Sequence, residues 1–528
     1  MKQKKLQIGL PLLLSVTMVA GMVLGYKLRQ DTAGANSFLK NGRNAAVSQV
    51  LGIINKNYVD NVNTDSLQSS AINNVLAQLD PYSVYISTNQ VKLLNDETKG
   101  SFTGIGIEFE LISDSVYITG VTPNAPAYKA GVRVGDVFVS LNDSLIISGG
   151  NRVKAGVVSL LNELGNTIRV KIYRAGQTFS VNITKALLPI SSVDAAYMLD
   201  SKTAYIRLNK FSETTYREFM LALEKLKAQG MRQLIIDLRG NGGGVLMSAV
   251  QIANEFLRAD QLIVYTDGAK AGKKEYRCLR DGFYPDLKLE VLIDETTASA
   301  SEVLAGALQD WDRATIIGRR SFGKGLVEEQ FKLTNGAALR LTVARYFTPL
   351  GRNIQKPYHK NARNDSPQLA TRFYNGETVL ADTSAPKGKA FKTLKGNTVY
   401  GGGGITPDIY VPYDTTILPK PVADLFLKGT LTKFAFLYYM QHPNLQTQKT
   451  PETLANYVKA DNTAWQQLTA FAQKDSVQLS DISEKAKANI VEKFAAFVGK
   501  ERFGADGYFE INNQNDELLK QALDAINR

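Results

Sequence analysis

Gln233–Leu257, QLIIDLRGNGGGVLMSAVQIANEFL, decides how this chain is built. Gln233–Leu238 is a short apolar run of the length of a buried strand, and Val245–Leu257 carries the longer apolar run of a helix. Between them lies a glycine-dominated turn, Arg239-Gly240-Asn241-Gly242-Gly243-Gly244. The same alternation continues on both sides. Thr203–Leu208 reads as a strand and Thr214–Gln229 as a helix ended by Gly230. Downstream, Glu290–Ile293 and Thr315–Ile317 read as strands flanking a helix at Ser301–Gln309. Strands alternating with helices predict an α/β layered core.

A strand-to-helix turn with exposed N–H groups can cradle a phosphate or an oxyanion. The phosphate readings fail here, because no Gly-Lys-Ser/Thr and no G-x-G-x-x-G pattern is present. The oxyanion reading gains weight from residues 294–328, DETTASASEVLAGALQDWDRATIIGRRSFGKGLVE. Ser299 stands there among small residues at the start of an apolar helix, whose N–H groups suit a developing oxyanion. Ser301 and Thr297 are better placed than Ser299 to cap that helix. Lys324 follows 25 positions later in a glycine-bracketed turn, with Phe322, Leu326 and Val327 as apolar neighbours. A serine hydroxyl needs a base, and a desolvated lysine can serve. Only two histidines exist, His359 and His442, and neither neighbours a convincing acid or nucleophile. A Ser-His-Asp triad and a zinc site are both disfavoured by that scarcity. Cys278 is the only cysteine, so no disulfide framework or thiolate metal site is expected.

The 528 residues exceed one hydrophobic core, and roughly three or four domains are expected. Hydrophobic residues at 44% and charged residues at 21% give an ordinary globular balance rather than disorder. The net charge of +12 comes from scattered lysines without aromatic striping, which argues against nucleic-acid binding. Part of the excess would suit an anionic membrane surface. Lys2, Lys4 and Lys5 precede an apolar run from Leu6 to Tyr26, followed by Lys27 and Arg29. That run predicts a signal anchor or transmembrane helix within residues 1–30, with Thr32-Ala33-Gly34-Ala35 as a cleavage alternative. The body is then exported, anchored to the inner membrane and facing the periplasm.

Residues 38–97 read as a helical cap, ended near Asp80-Pro81. Residues 98–185 change to short β-rich runs with one helix at Lys154–Leu164. Their Gly104-Ile105-Gly106-Ile107 and Ala130–Asp136 segments resemble a PDZ domain. Such a glycine loop presents N–H groups to a terminal carboxylate while the peptide adds to a sheet edge. Residues 352–400 interrupt the core of residues 186–415 as a flap or insertion, and residues 416–528 are helical.

Together these motifs resemble the carboxyl-terminal processing peptidases, or tail-specific proteases, over about residues 45–415. The carrying motifs are Leu79-Asp80-Pro81, the PDZ segment, Asp237–Gly244, Ser299–Glu302, Ala305–Asp310, Phe322–Gly325 and Gly404–Asp408. The resemblance implies a multidomain α+β protein with a crotonase-like α/β core, an inserted PDZ domain and flanking helical regions. It implies an exported serine endopeptidase, with Ser299 as nucleophile and Lys324 as base. Ala300 N–H and the turn Gly242, Gly243, Gly244 would form the oxyanion hole, and Asp310 would be structural support. The PDZ domain would capture protein or peptide substrates by their free C-termini. No cofactor is implied; an adaptor protein and a homodimer are the further partners expected. One departure concerns Glu328, where many members place a glutamine that orients the lysine. An ionised Glu328 would hold Lys324 as an ammonium and weaken the base. The alternative reading is a membrane-tethered PDZ scaffold whose protease core Glu328 impairs.

Overall fold

The computed structural model describes residues 45–142, 144–145, 157–158, 161, 165–358, 372, 377–378, 388–414 and 417–528. The expected anchor lies outside the described residues, as do most of the Lys154–Leu164 helix and much of 352–400. Among the described residues, no helix is long and apolar enough to cross a membrane. The chain divides into two compact units, Met1–Leu79 and Asp80–Arg528.

The first unit contains α1 (Ala45–Asn57) and α2 (Thr64–Leu76). Asn63 caps α2 by accepting the Ser66 N–H at 3.0 Å.

The second unit opens with β1 (Val84–Ile86) and α3 (Thr88–Lys99). A β-rich domain follows, containing β2 (Ser101–Gly104), β3 (Ile107–Ile112), β4 (Ser115–Val121), α4 (Pro126–Lys129), β5 (Val137–Leu141) and β6 (Ser144–Leu145). It closes with β7 (Thr167–Arg174), β8 (Gln177–Thr184) and β9 (Ala186–Pro189). The sheet order is β3-β4-β5-β7-β8, with β6 on β5, while β2 and β9 pair as an antiparallel ribbon at the entrance and exit. Ile118, Leu141, Ile168, Val170 and Ile172 fill its core through period-2 alternation.

The central layer contains β10 (Val193–Met198), β11 (Thr203–Leu208), α5 (Thr215–Ala228), β12 (Gln233–Asp237), α6 (Leu246–Asn254), β13 (Leu262–Gly268) and β14 (Gly272–Arg277). It continues with β15 (Lys288–Ile293), α7 (Ala300–Asp310), β16 (Thr315–Gly318), β17 (Leu326–Lys332), β18 (Ala338–Phe347), β19 (Ala390–Lys392), β20 (Thr398–Tyr400) and β21 (Ile409–Tyr410). One sheet runs β10-β11-β12-β15-β16-β21, parallel from β11 to β21. Every residue of β12 is buried, as a parallel strand covered on both faces requires. Each residue of α7 is buried too, so this helix is core all round. A second, antiparallel sheet runs β1-β18-β13-β14, with β17 on the other edge of β18.

The C-terminal region adds α8 (Lys420–Leu427), α9 (Thr430–Gln441), α10 (Pro451–Ala460), α11 (Asn462–Lys474), α12 (Glu484–Asn512) and α13 (Glu517–Asn527). These helices bury a core of their own around Phe434, Tyr438 and Phe494. The β-rich domain rests on them through the Tyr117–Phe436 ring pair at 6.0 Å and a Lys500–Glu108 bridge at 3.5 Å.

α13 is tied to the central sheet by charge. Asp237, at the end of β12, is buried and accepts from Tyr205 Oη at 2.6 Å, Arg207 at 2.8 Å and Arg239 at 2.7 Å. Arg239 reaches on to Asp516 at 2.7 Å. Burial alone would raise the Asp237 carboxyl, but Arg239 and Arg207 outweigh it and hold the group below the usual carboxylate range. Stability from this carboxylate is therefore present above its ordinary pKa and is lost as pH falls through the depressed one. Asp237→Asn leaves two half-buried guanidinium groups short of charge, and we expect a loss of about 3–5 kcal/mol in urea unfolding. A loss below about 1 kcal/mol would contradict the buried-pair account.

Candidate functional site

β12 ends and the chain turns through Gly242–Gly244 into α6. The Asn241 side chain shapes that turn. Its Nδ2 donates to Leu208 O at 3.0 Å, and its Oδ1 accepts the Gly243 N–H at 2.9 Å. Gly243 sits at φ 94°, where a Cβ would lie 2.8 Å from Ser299 Cβ and 2.9 Å from Ala300 N. Only glycine lets these two turns approach so closely. Gly244 lies against the Phe211 backbone, its neighbour Val245 donating to Phe211 O at 2.8 Å. Among the described residues, no acceptor meets the N–H of Gly242, Gly244 or Ala300, whereas that of Gly243 is already given to Asn241.

Ser299 caps α7 at φ 57° and ψ −116°, a region that non-glycine residues avoid. The sequence expectation favoured Ser301 or Thr297 for that cap. Instead Ser301 Oγ donates to Asn241 O at 3.0 Å, and Thr297 Oγ1 donates to Leu238 O at 2.9 Å. Both hydroxyls stitch the Ser299 turn onto the glycine turn. Strain at a sharp turn before a helix exposes the hydroxyl and aims the first N–H groups beside it.

Lys324 stands in the loop between β16 and β17. Its Nζ lies 2.9 Å from Glu328 Oε2, and the ring centroid of Tyr82 is 5.0 Å away. A carboxylate and an aromatic face meet the amine, and Leu326 and Val327 line the same cleft. Glu328 is not turned away. Among the described residues, the amine makes no hydrogen bond to Ser299.

Ser299, Ala300, Lys324, Glu328 and Gly242–Gly244 all line one cleft of about 580 Å³, with Tyr346, Leu246, Val303 and Leu326 as further walls. Larger hollows of about 1300 and 860 Å³ lie elsewhere and hold none of these groups. Chemistry rather than size marks the site. Tyr346 Oη donates to Ser299 O at 3.2 Å, and burial pushes its hydroxyl well above its ordinary value.

Glu302 carries a role that its residue type alone does not announce. It is fully buried. Its Oε2 accepts Ser299 N–H at 2.8 Å and Lys324 N–H at 2.9 Å; its Oε1 accepts Gly323 N–H at 2.7 Å and Ser321 Oγ–H at 2.5 Å. One carboxylate thus holds the turns that present Ser299 and Lys324. The signal was available: Ser299-x-x-Glu302 has the spacing of a capping box.

Asp310 is buried in an ion pair with Arg352 at 2.5 Å and accepts Leu350 N–H at 2.9 Å. His442 lies outside the cleft, stacked on Tyr438; His359 is outside the described residues. Gly104–Ile107 does not line this cleft. Ile105 is buried and its carbonyl accepts Ala127 N–H at 2.9 Å; Gly106 is at φ 79°. Ile107 opens β3, an edge strand of its sheet. Among the described residues, there is no group of three or more ligands that could hold a metal ion.

Comparison with known proteins gives three matches along the chain. Residues 202–361 match peptidase family S41, residues 103–184 a PDZ domain, and residues 25–90 the N-terminal domain of the activating protease CtpB. A probable CtpA-like serine protease of Staphylococcus epidermidis is 29% identical over 395 residues, 74% of this chain and 78% of that protein. One from Staphylococcus aureus is 29% identical over 388 residues, 72% and 76% of the two chains. Among solved structures, a photosystem II D1 C-terminal processing protease aligns at TM-score 0.34 and 25% identity, over 70% of this chain and 93% of its own. A putative S41 protease from Bacteroides fragilis aligns at TM-score 0.32 and 18% identity, over 52% and 83%.

Proposed function

We propose, from the match of residues 202–361 to peptidase family S41 and of residues 103–184 to a PDZ domain, that this chain is a serine endopeptidase that cleaves near substrate C-termini through Ser299 and Lys324. The carrying observation is the strained Ser299 turn, which faces the glycine turn in the cleft that Lys324 also lines. In acylation, Ser299 Oγ attacks the scissile carbonyl carbon while neutral Lys324 takes its proton. The N–H groups of Ala300, Gly242 and Gly244 receive the oxyanion. Lys324 passes its proton to the leaving amine, and water then releases the acyl group by the same relay in reverse. Gly104–Ile107 supplies the carboxylate-binding loop that engages the free C-terminus, and β3 the edge for its strand. The parallel sheet with α5, α6 and α7 supports a crotonase-like core. Export and membrane anchoring rest on the Lys2–Tyr26 segment of the sequence.

In the resting geometry the amine belongs to Glu328, so catalysis requires Lys324 to exchange that carboxylate for the Ser299 hydroxyl. This ion pair is what favours the scaffold reading, whereas the serine-protease relatives do not favour it. The test is cleavage of an unstructured polypeptide by wild type and by Glu328→Gln. Glutamine keeps the shape and removes the ion-pair partner that holds the amine, so kcat/KM at neutral pH is expected to rise by roughly tenfold. Amidating the substrate C-terminus is expected to raise KM. Wild type inert and Glu328→Gln active would mark an impaired core, and inert behaviour of both would remove the protease reading.

A further inference from the structure

The Ser299 cleft continues along a sheet edge. β17 begins two residues after Lys324, and Leu326, Val327, Glu328, Glu329 and Gln330 all line the same hollow as the nucleophile. β18 pairs with β17 on one edge, Glu328 opposite Thr342 and Gln330 opposite Arg340. On its other edge β18 carries β1, with Val84 opposite the same Arg340. Among the described residues, β18 is the only strand paired to β17, so the cleft-side edge of β17 offers backbone N–H and C=O groups to an incoming strand. The facing wall is helical: Leu94, Asn95, Glu97 and Thr98 of α3 line the hollow. A side-chain bond, Gln330 Nε2 to Asn95 Oδ1 at 3.3 Å, spans from β17 to α3.

We infer that β17 is the track for the substrate segment around the scissile bond. An extended polypeptide adds to its free edge between β17 and α3, with alternate backbone amides paired to residues 327–330. This rests on the serine-peptidase reading and deepens it. Strand addition draws affinity from the main chain and leaves specificity to alternate side-chain pockets. A strand seated about 4.8 Å from β17 has period-2 side chains. One set then faces the apolar wall of Leu246, Val303, Leu326 and Tyr346, and the other faces solvent beside Glu329. The Asn95–Gln330 bond opens as the strand enters. The proposal thus separates two strand additions: the substrate's end at β3, and the reacting segment at β17.

The experiment is an N-methyl scan. A peptide with a free C-terminus is N-methylated at one backbone amide at a time, and kcat/KM is measured with the wild-type chain. Loss of a strand hydrogen bond is expected to cost about tenfold at alternate positions near the cleaved bond and little at those between. Uniform tolerance would overturn the inference. A small activated ester, which needs Ser299 but no strand, is run in parallel: Ser299-dependent turnover of the ester shows the nucleophile competent whatever the scan gives. A second measurement does not depend on turnover. With Ser299→Ala and the unmodified peptide, amide hydrogen exchange is expected to slow at residues 327–330 as well as along β3. Slowing confined to β3 would overturn the track while leaving the PDZ site intact.

Discussion

Ser299→Ala and Lys324→Ala are each expected to lower kcat/KM by roughly 10⁴-fold, and the double variant to be no worse than the poorer single one. Non-additivity is the informative part. Lysine acts only through the serine hydroxyl, so once either is gone the other has nothing left to do. The residual rate would come from the oxyanion donors and from binding. Asp237→Asn behaves differently, because it loosens the fold rather than the chemistry. Steady-state kinetics on one peptide, with circular dichroism to confirm folding, measures all of this. A Lys324→Ala enzyme retaining a tenth of wild-type activity would sink the lysine as base, and Glu328 would then be the group to examine. Two losses that add would show the residues acting independently.

The central parallel sheet was legible because burial on both faces leaves a plain record. Leu234–Ile236 and Val291–Ile293 are short apolar runs, and the expected limits of β11, β12 and β16 lie within a residue of those observed. The antiparallel sheet was not read. Leu326–Lys332 is LVEEQFK, with one end buried and the other exposed, and Ala338–Phe347 mixes arginines with apolar residues on a half-buried surface. Neither stands out as an apolar run, although Leu339, Leu341 and Val343 hold the period of a strand. The site shows the same division. Ser299, Lys324 and the glycines declare themselves by residue type. The use of Gly243 for close approach, with its N–H given to Asn241, depends on which turns meet. The cap of α7 was misplaced for a related reason. Ser301 and Thr297 have the chemistry of caps, but the sheet end and the glycine turn claim their hydroxyls first.

Glu302→Ala is expected to cost roughly 10³-fold in kcat/KM together with a clear loss of stability, because it leaves the N–H groups of Ser299, Gly323 and Lys324 without their acceptor in a dry site. Each unsatisfied buried donor costs about 1–3 kcal/mol. Glu302 is a positioning residue: it holds backbone N–H groups and the Ser321 hydroxyl, not the reacting atoms. Glu302→Gln separates position from mere volume. Its amide keeps the shape but offers one accepting oxygen where the carboxylate offers two, so a smaller loss of roughly 10–100-fold is expected. The pH dependence gives the signature. Burial raises the Glu302 carboxyl to about 6, outweighing the Ser321, Lys324, Gly323 and Ser299 hydrogen bonds that favour the charged form. A raised carboxyl means that the native state binds the proton more tightly than the unfolded chain. Stability from this group therefore falls as pH rises from its ordinary value to about 6. Activity moves the other way. Protonation turns one accepting oxygen into a donor facing N–H groups, and the clasp between the two turns slackens. Below about pH 6 protonation of Glu302 steepens the fall of log kcat/KM with falling pH by one further proton. In Glu302→Gln that proton has no site, and the added steepening is absent. An unchanged steepening in the glutamine variant would assign that proton elsewhere and leave Glu302 a purely structural carboxylate.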